Sequence, residues 1–363
     1  MSQSAGSQST GHDRTGIDSM GMAAATVALP AQLEAALVAA EEVVGPAGSE
    51  PITNVVVLGM GGSGVAGDVI SALAAPQMRV PVTVVKGYEC PAFVGPHTLA
   101  IAVSFSGNTE ETLETAAAAH DARASVVAVT SGGRLAELAR HWGAPLYEVD
   151  GSIPMPRAAV GAISVAPLVA LERAGLLSGV AGWVGATVAQ LCARQDSTGA
   201  EVDSLDEIVS AIGNGEMLPV FYGGGAPGVV AAGRAKAQIN ENVKIPAYAS
   251  AMPELCHNEL AGWDLAGRLI DGSPLAVIAL RHDFEHPQIR RRYDFTRRVL
   301  DGARVAVPYA ELRAGGDGAM AQLFDLIYQV DVLSLRIAAA ARRDPGPITL
   351  LAELKTYLAS DDI

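Results

Sequence analysis

The chain has 363 residues, half of them apolar, and a formal net charge of −14. This length and composition are typical of a soluble globular protein with two domains and exclude a chain dominated by disorder. The negative charge repels nucleic acids and anionic membrane surfaces, so neither is an expected partner.

The cysteine content and the chain start bear on localisation. Cys90, Cys192 and Cys256 are far apart and form no C-x-x-C pair, so neither a disulfide framework nor a zinc site is expected. No stretch is long and apolar enough to span a bilayer. Residues 1–20 are rich in Ser, Gly and Gln, carry no signal-peptide pattern and are predicted to form a disordered tail. These features favour the cytoplasm.

In the first half, predicted strands alternate with predicted helices. In chain order they are a helix at 31–44, a strand at 53–58, a helix at 65–74, strands at 81–86 and 99–105, a helix at 113–120, and strands at 124–130 and 145–149. Such alternation indicates βαβ crossovers and a parallel sheet.

The segment 151–157 breaks this pattern and predicts a crossing into a second unit. The elements then predicted are helices at 158–175 and 182–194, a strand at 218–222, a helix at 229–242, a strand at 274–280, a helix at 287–301, a strand at 304–307, and helices at 319–343 and 350–358. We therefore expect an α/β protein with two tandem doubly wound parallel-sheet subdomains, 21–155 and 156–318, and C-terminal helices over 319–363.

The most informative motif is the loop Ser104-Phe105-Ser106-Gly107-Asn108-Thr109, between a predicted strand and a predicted helix. Backbone N–H groups and the positive end of the helix dipole make such a loop an anion site. Ser104, Ser106 and Thr109 add three hydroxyl donors, and the loop holds no Lys or Arg, so a sugar phosphate is the natural ligand. The alternative is helix capping, with Asn108 and Glu111 as a capping box.

A second motif, Gly59-Met60-Gly61-Gly62-Ser63-Gly64, follows the first predicted strand. It satisfies the dinucleotide fingerprint, but the next strand ends in Lys86 instead of an acidic residue, so this interpretation would need Lys86 to accept a 2′-phosphate. Two alternatives remain: a glycine turn for close packing, and a backbone cradle beside a sugar with Ser63 as a donor.

Candidates for acid–base chemistry lie in the second half. Glu241 ends a predicted buried helix, and His257 follows in a segment led by Pro253. A carboxylate and an imidazole are the groups that acid–base catalysis at neutral pH uses most, although this segment by itself favours a solvated Glu and a surface His, because any chain of this length contains such pairs. Arg157 could clamp an oxyanion or make a surface ion pair, and Lys355 could lie on a solvated helix face.

Taken in order, these pieces resemble the sugar isomerase (SIS) domain superfamily and, within it, the bifunctional phosphoglucose/phosphomannose isomerase family. The resemblance runs from about residue 55 to the C-terminus. It rests on Gly59-Met60-Gly61-Gly62-Ser63 with Gly67-Asp68, on Ser104 to Thr112, on Pro156-Arg157-Ala158, on Asn240-Glu241-Asn242, on Glu254-Leu255 with His257-Asn258-Glu259 and Gly262-Trp263, and on Asp344-Pro345 with Pro347 and Glu353-Leu354-Lys355.

The resemblance implies an enzyme that interconverts glucose 6-phosphate and/or mannose 6-phosphate with fructose 6-phosphate through a cis-enediol. Glu241 would move the proton between C1 and C2, Arg157 would stabilise the enediolate, and Lys355 would act near the ring oxygen. His257 would assist ring opening from the partner subunit of a homodimer. The phosphate would be bound by Gly61, Gly62, Ser63, Ser104, Ser106 and Thr109.

The resemblance implies no cofactor and no metal, and the sequence offers no cluster of metal ligands against this. Cys256, between Leu255 and His257, stands where a polar residue is expected and could alter the surroundings of His257. The alternative functions are a non-catalytic sugar-phosphate-binding regulator on the same fold, which would not need Glu241, His257 and Arg157, and a dinucleotide oxidoreductase.

Overall fold

Two parallel β-sheets, one in each half of the chain, form the framework of the protein. The computed structural model describes residues 17–45, 51–197, 205–264, 275–302 and 307–358. Each sheet has helices on both faces, so its central strands are buried on both sides and are mainly apolar.

The first sheet has the strand order β2-β1-β3-β4-β5. Its strands are β1 (Asn54–Leu58), β2 (Val82–Val85), β3 (Thr98–Val103), β4 (Ser125–Thr130) and β5 (Leu146–Glu148). The helices of this half are α1 (Met22–Val27), α2 (Leu29–Glu41), α3 (Gly61–Leu73), α4 (Glu110–Asp121) and α5 (Gly133–Trp142).

A 3₁₀ turn, Pro156–Ala159, leads into the helices between the two sheets, α6 (Val160–Arg173), α7 (Val180–Asp196) and α8 (Asp206–Gly213). The second sheet has the order β7-β6-β8-β9. Its elements are β6 (Leu218–Gly224), α9 (Gly225–Gln238), a π-helical turn (Ile239–Val243), β7 (Tyr248–Met252), 3₁₀ turns Glu254–His257 and Glu259–Asp264, β8 (Leu275–Arg281), α10 (Pro287–Asp301) and β9 (Tyr309–Arg313). The chain ends with α11 (Ala319–Ala340) and α12 (Thr349–Leu358).

The side chains of each strand alternate between two separate apolar clusters. Val55 and Val57 of β1 face the large central cluster between the sheets, whereas Val56 and Leu58 face a cluster under α4 and α5. The second sheet does the same: Phe221 faces the centre and joins the same cluster as the first sheet. Because one cluster includes residues of both sheets, the two halves share a core.

The predicted α/β class with two parallel sheets is confirmed. Three helices (α1, α5 and α8) and strand β7 were not predicted. The helix predicted from residue 65 begins at Gly61, four residues earlier and within the glycine motif. The strand predicted at 304–307 falls mainly on residues outside the described ranges, and the observed strand β9 lies just beyond it.

Two further differences concern the predicted boundaries. Residues 1–16 of the expected tail lie outside the described residues, but Asp18 accepts hydrogen bonds from the backbone N–H groups of Met22 and Ala23 and so caps α1. Helix α6, which the sequence assigns to the second subdomain, packs against α2 and α3 of the first half.

Helix α11 has 22 residues. It carries buried Asp325, which forms an ion pair with Arg194, and buried Asp331, which forms one with Arg234.

Within the described ranges no helix combines the length and the apolar character needed to cross a membrane.

Candidate functional site

The crevice between β1 and β3 is the topological switch point of the first sheet. Leu58 and Ala102 are register partners, so the loops after these two strands lie side by side. From this point α3 leads to one side of the sheet and α4 to the other, and both helices begin in the crevice. Open α/β sheets bind ligands at such a point, and two helix N-termini favour an anion.

The hydroxyl loop after β3 is held by hydrogen bonds within itself. The hydroxyl groups of Ser104 and Thr109 are 2.9 Å apart and bonded to each other, and the Ser106 hydroxyl accepts from the Asn108 N–H. Ser104 is buried, Thr109 is half-buried and Ser106 is exposed. The three hydroxyls thus surround the start of α4.

Helix capping does not account for this loop. Thr109 is the N-cap residue of α4, but no side chain caps the helix. Asn108 instead accepts from the backbone N–H of Arg134 and donates to the carbonyl of Ser106. The capping-box alternative is therefore wrong, because Asn108 joins the loops after β3 and β4.

Gly107 permits this joining of loops. It has a φ of +68°, and a Cβ there would lie 1.8 Å from the carbonyl oxygen of Gly132. A side chain at this position would push the two loops apart.

The glycine motif after β1 forms the facing wall of the crevice. The hydroxyl oxygen of Ser63, in the first turn of α3, accepts a hydrogen bond of 3.0 Å from the Phe105 N–H, which leaves its own proton available for a ligand. A Cβ on Gly62 would lie 2.9 Å from the backbone nitrogen of Arg157, so this glycine allows the segment of Arg157 to approach α3. Lys86 is ion-paired with Asp68 at 2.6 Å, which argues against a role in binding a 2′-phosphate.

Arg157 is buried, with 3% of its side chain exposed. The surface ion pair considered for it is therefore wrong. Its Nη1 lies 3.3 Å from Oε2 of Glu241, and its Nε donates to the amide oxygen of Asn242 at 2.9 Å. Burial lowers the pKa of the Arg157 guanidinium, and the carboxylate of Glu241 opposes that shift. The cation therefore stands beside the candidate base.

Glu241 lies in the π-helical turn that follows α9, a local geometry frequently found at functional sites. Its carboxylate keeps 28% exposure, so it can meet both Arg157 and a ligand. Burial raises the pKa of Glu241, and the guanidiniums of Arg157 and Arg234 offset only part of the rise. A carboxylate with a raised pKa beside a buried cation fits a base that removes a proton next to a carbonyl.

The structure does not join His257 to this pair. His257 ends a short 3₁₀ turn after β7 and is exposed, and no hydrogen bond or ion pair within the described residues links it to Glu241. Cys256, which could have altered its surroundings, packs against the outer apolar cluster of the second sheet. Lys355 belongs to α12, and its side chain lies outside what the structure describes.

Sequence reasoning missed the buried polar groups that support Arg157. Arg234 donates to the backbone carbonyl of Arg157 and to both carboxylate oxygens of Asp331. The backbone carbonyls of Pro345 and Gly346 accept from Nη2 of Arg157. The available signal was the pair of acidic residues, Asp325 and Asp331, in a long and mainly apolar helix, because charges are rarely buried without a partner.

The equivalent crevice of the second sheet is filled by protein. Gly223 and Leu280 are register partners there, and Nε2 of buried His282 donates to the carbonyl of Gly224 at 2.7 Å. A Cβ on Gly224 would lie 2.4 Å from the side chain of Ile289. The crevice of the first sheet is therefore the better candidate for the phosphate.

Within the described residues no group of three or more His, Cys, Asp or Glu side chains could hold a metal ion.

The fold and this crevice define a protein built from SIS domains. Residues 206–358 match the model of the bacterial phospho-glucose isomerase C-terminal SIS domain. A candidate phosphosugar isomerase from Clostridium difficile 630 has the same fold, with a TM-score of 0.70 at 12% identity over 94% of this chain and 99% of that one.

Sequence relatives define the family more narrowly. A bifunctional phosphoglucose/phosphomannose isomerase from Caldicellulosiruptor bescii is 32% identical over 91% of this chain and 97% of its own length. Another, from Thermoplasma acidophilum, is 32% identical over 85% of this chain and 90% of its own length. The chain belongs to the bifunctional phosphoglucose/phosphomannose isomerase family, as the sequence motifs predict.

Proposed function

We propose that this protein is an aldose–ketose isomerase that converts glucose 6-phosphate and/or mannose 6-phosphate to fructose 6-phosphate and back. The observation that carries the proposal is the pair formed by Glu241 and Arg157, 3.3 Å apart beside the phosphate crevice. A binding protein without activity needs the crevice but has no use for a partly exposed carboxylate that shares a buried cation.

In this mechanism the phosphate is bound by Ser63, Ser104, Ser106 and Thr109 and by the backbone at Gly61 and Gly62. Glu241 removes the proton from C2 of the open-chain aldose, and the C1 oxygen gains a proton to give the cis-enediol. The C2 hydroxyl then loses its proton as Glu241 returns a proton to C1, which gives the ketose with no net gain or loss of protons. The proton beside a carbonyl is weakly acidic, so the negative oxygen needs a nearby cation, and Arg157 supplies it. To use both C2 epimers, Glu241 must reach either face of C2, or the sugar must rotate about its C2–C3 bond.

The remaining roles belong to residues outside the Glu241–Arg157 pair. We assign ring opening to His257 of a second subunit in a homodimer, because this side chain is exposed and separate from the Glu241 pair. We assign Lys355 a place near the ring oxygen and the C-terminal residues 319–363 the completion of the site. Contacts from Pro345 and Gly346 to Arg157 support the role given to the C-terminal residues. The reaction requires no cofactor and would serve glycolysis and gluconeogenesis in the cytoplasm.

A coupled assay with both aldose phosphates, run side by side, tests the proposal. Formation of fructose 6-phosphate from either aldose is the expected result. Binding of these sugars without turnover, at enzyme concentrations that reveal even slow reaction, would establish the regulatory alternative instead. A rise in melting temperature with NADP(H) but not with sugar phosphate would favour an oxidoreductase.

A further inference from the structure

The guanidinium of Arg157 has a defined partner on each of its three nitrogens. Nε donates to Asn242, Nη1 donates to Glu241, and Nη2 donates to the carbonyls of Pro345 and Gly346. These contacts use four of the five N–H groups that a guanidinium carries. The fifth is on Nη1, so the nitrogen that meets Glu241 is also the one with a donor left for a ligand.

Asn242 is fixed as firmly as the arginine it contacts. It is 1% exposed, and its amide nitrogen donates to the hydroxyl oxygen of Ser334 at 2.9 Å. Ser334 uses its own proton on the backbone carbonyl of Asp331, so its oxygen must accept from Asn242. The amide therefore has one orientation, with its oxygen toward Nε of Arg157.

The same hydrogen bonds return to the backbone of Arg157. Asp331 binds Arg234 through both carboxylate oxygens, and Arg234 donates to the Arg157 carbonyl at 2.8 Å. The circuit thus runs from Arg157 through Asn242, Ser334, Asp331 and Arg234 back to Arg157. Since each partner is buried, the circuit fixes both the backbone and the side chain of Arg157.

We propose that Asn242 is a positioning residue for Arg157: it holds the Nε edge of the guanidinium so that Nη1 is presented to the reacting oxygen beside Glu241. The identity of this oxygen, as one on the sugar substrate, rests on the proposed isomerase function. The contact between Asn242 and Arg157 is present in the free protein. Asn242 touches neither the substrate nor the transferred proton in this arrangement.

Asn242→Asp tests the proposal by the pH dependence of kcat. The charged groups near Glu241 are Arg157, Arg234 and, through a hydrogen bond to the Glu241 carbonyl, Lys244. A new carboxylate on Nε would compete with Glu241 for Arg157. The acid limb of the kcat profile should move to higher pH, and kcat should fall roughly tenfold with little change in KM. The exposed Asn214→Asp adds the same charge elsewhere and should move nothing.

A second measurement does not need activity. In ¹H–¹⁵N spectra the buried Nε–H of Arg157, assigned by its loss in Arg157→Lys, should be protected from exchange in the wild type and lose protection in Asn242→Ala. Ser334→Ala removes the hydroxyl that holds the amide of Asn242, so the amide can turn and the same signal should shift. This variant replaces the Asn242 variants in the test if those fail to fold.

The two measurements separate the possible failures. An inactive wild type would overturn the isomerase function, while the Nε–H signal would still decide the positioning role. An unchanged Nε–H signal in the Asn242 or Ser334 variant would overturn the positioning role, as would a folded, active Asn242→Asp protein with the wild-type pH profile.

Discussion

Arg157 of the first half and Glu241 of the second form an ion pair in which one partner is 3% and the other 28% exposed. The cation is thus held almost entirely by protein, while the carboxylate keeps a face toward solvent. This asymmetry suits a fixed electrostatic partner and a base that must reach a substrate.

Glu241→Gln should abolish isomerisation while sparing sugar-phosphate binding. Loss of a positioned base typically costs a factor of about 10²–10⁴, and the amide cannot accept the proton from C2. Coupled assays measure the first effect, and calorimetry with glucose 6-phosphate measures the second. Glu114→Gln, an exposed change on α4, is the control. Normal turnover by the Glu241 variant would refute its assignment as the base.

The rate should fall on the acid side at a pH above the ordinary range of a glutamate, about 4.3. Burial raises the pKa of Glu241, and only the ionised form can accept the proton, so the base is lost as pH falls through this raised value. A profile of kcat against pH checks the prediction. An acid limb at or below the ordinary value would contradict it.

The raised pKa of Glu241 should also make the stability of the protein depend on pH, in the sense opposite to activity. A carboxyl whose pKa is raised on folding contributes stability below its unfolded pKa, and this contribution is lost as pH rises through the folded pKa. Glu241→Gln does not titrate. Its melting temperature relative to wild type should therefore be higher at pH 8 than at pH 4, and thermal unfolding at the two pH values measures this. A difference that does not change with pH would contradict the prediction.

Thr109→Val should weaken phosphate binding with little effect on the fold. The change removes one hydroxyl donor at nearly constant volume, and a hydrogen bond to a charged group contributes about 1.5–3 kcal/mol, so kcat/KM should fall by roughly 10–100-fold. Steady-state kinetics measure the loss. Thr115→Val is the matched control, because Thr115 lies on the same helix and its hydroxyl bonds only to backbone carbonyls of that helix. Equal effects of the two changes would argue against a phosphate contact at Thr109.

Asp331→Asn should destabilise the protein strongly. It leaves the buried Arg234 guanidinium without a counter-charge, which costs about 3–5 kcal/mol. Asp206→Asn provides the comparison, because Asp206 forms an ion pair with Arg336 from an exposed position, and such pairs contribute about 0–1 kcal/mol. Urea unfolding of both variants measures the difference, and similar losses would mean that the buried circuit does not support the fold.

Local patterns were enough to predict much of the fold and part of the site. Helix α10 was predicted with both ends correct, because its apolar positions recur with helical spacing and Pro287 stands at its first turn. The hydroxyl loop and the glycine motif were found because each follows a mainly apolar strand, and the ends of adjacent parallel strands must lie together. Strand β7 was missed because Tyr248–Met252 has an exposed start and contains two alanines, which are uncommon in strands and favour helices.

The features that can be read from the amino-acid sequence are therefore local: alternating strands and helices, a loop of hydroxyls at a strand end, and motifs that mark a family. The burial of Arg157, the sharing of its guanidinium between Glu241 and Asn242, and the closing of the second crevice by His282 arise only when the chain folds. The reason is distance along the chain. Arg157 and Glu241 are 84 residues apart, and no periodicity or propensity relates positions that meet only when two sheets share one core.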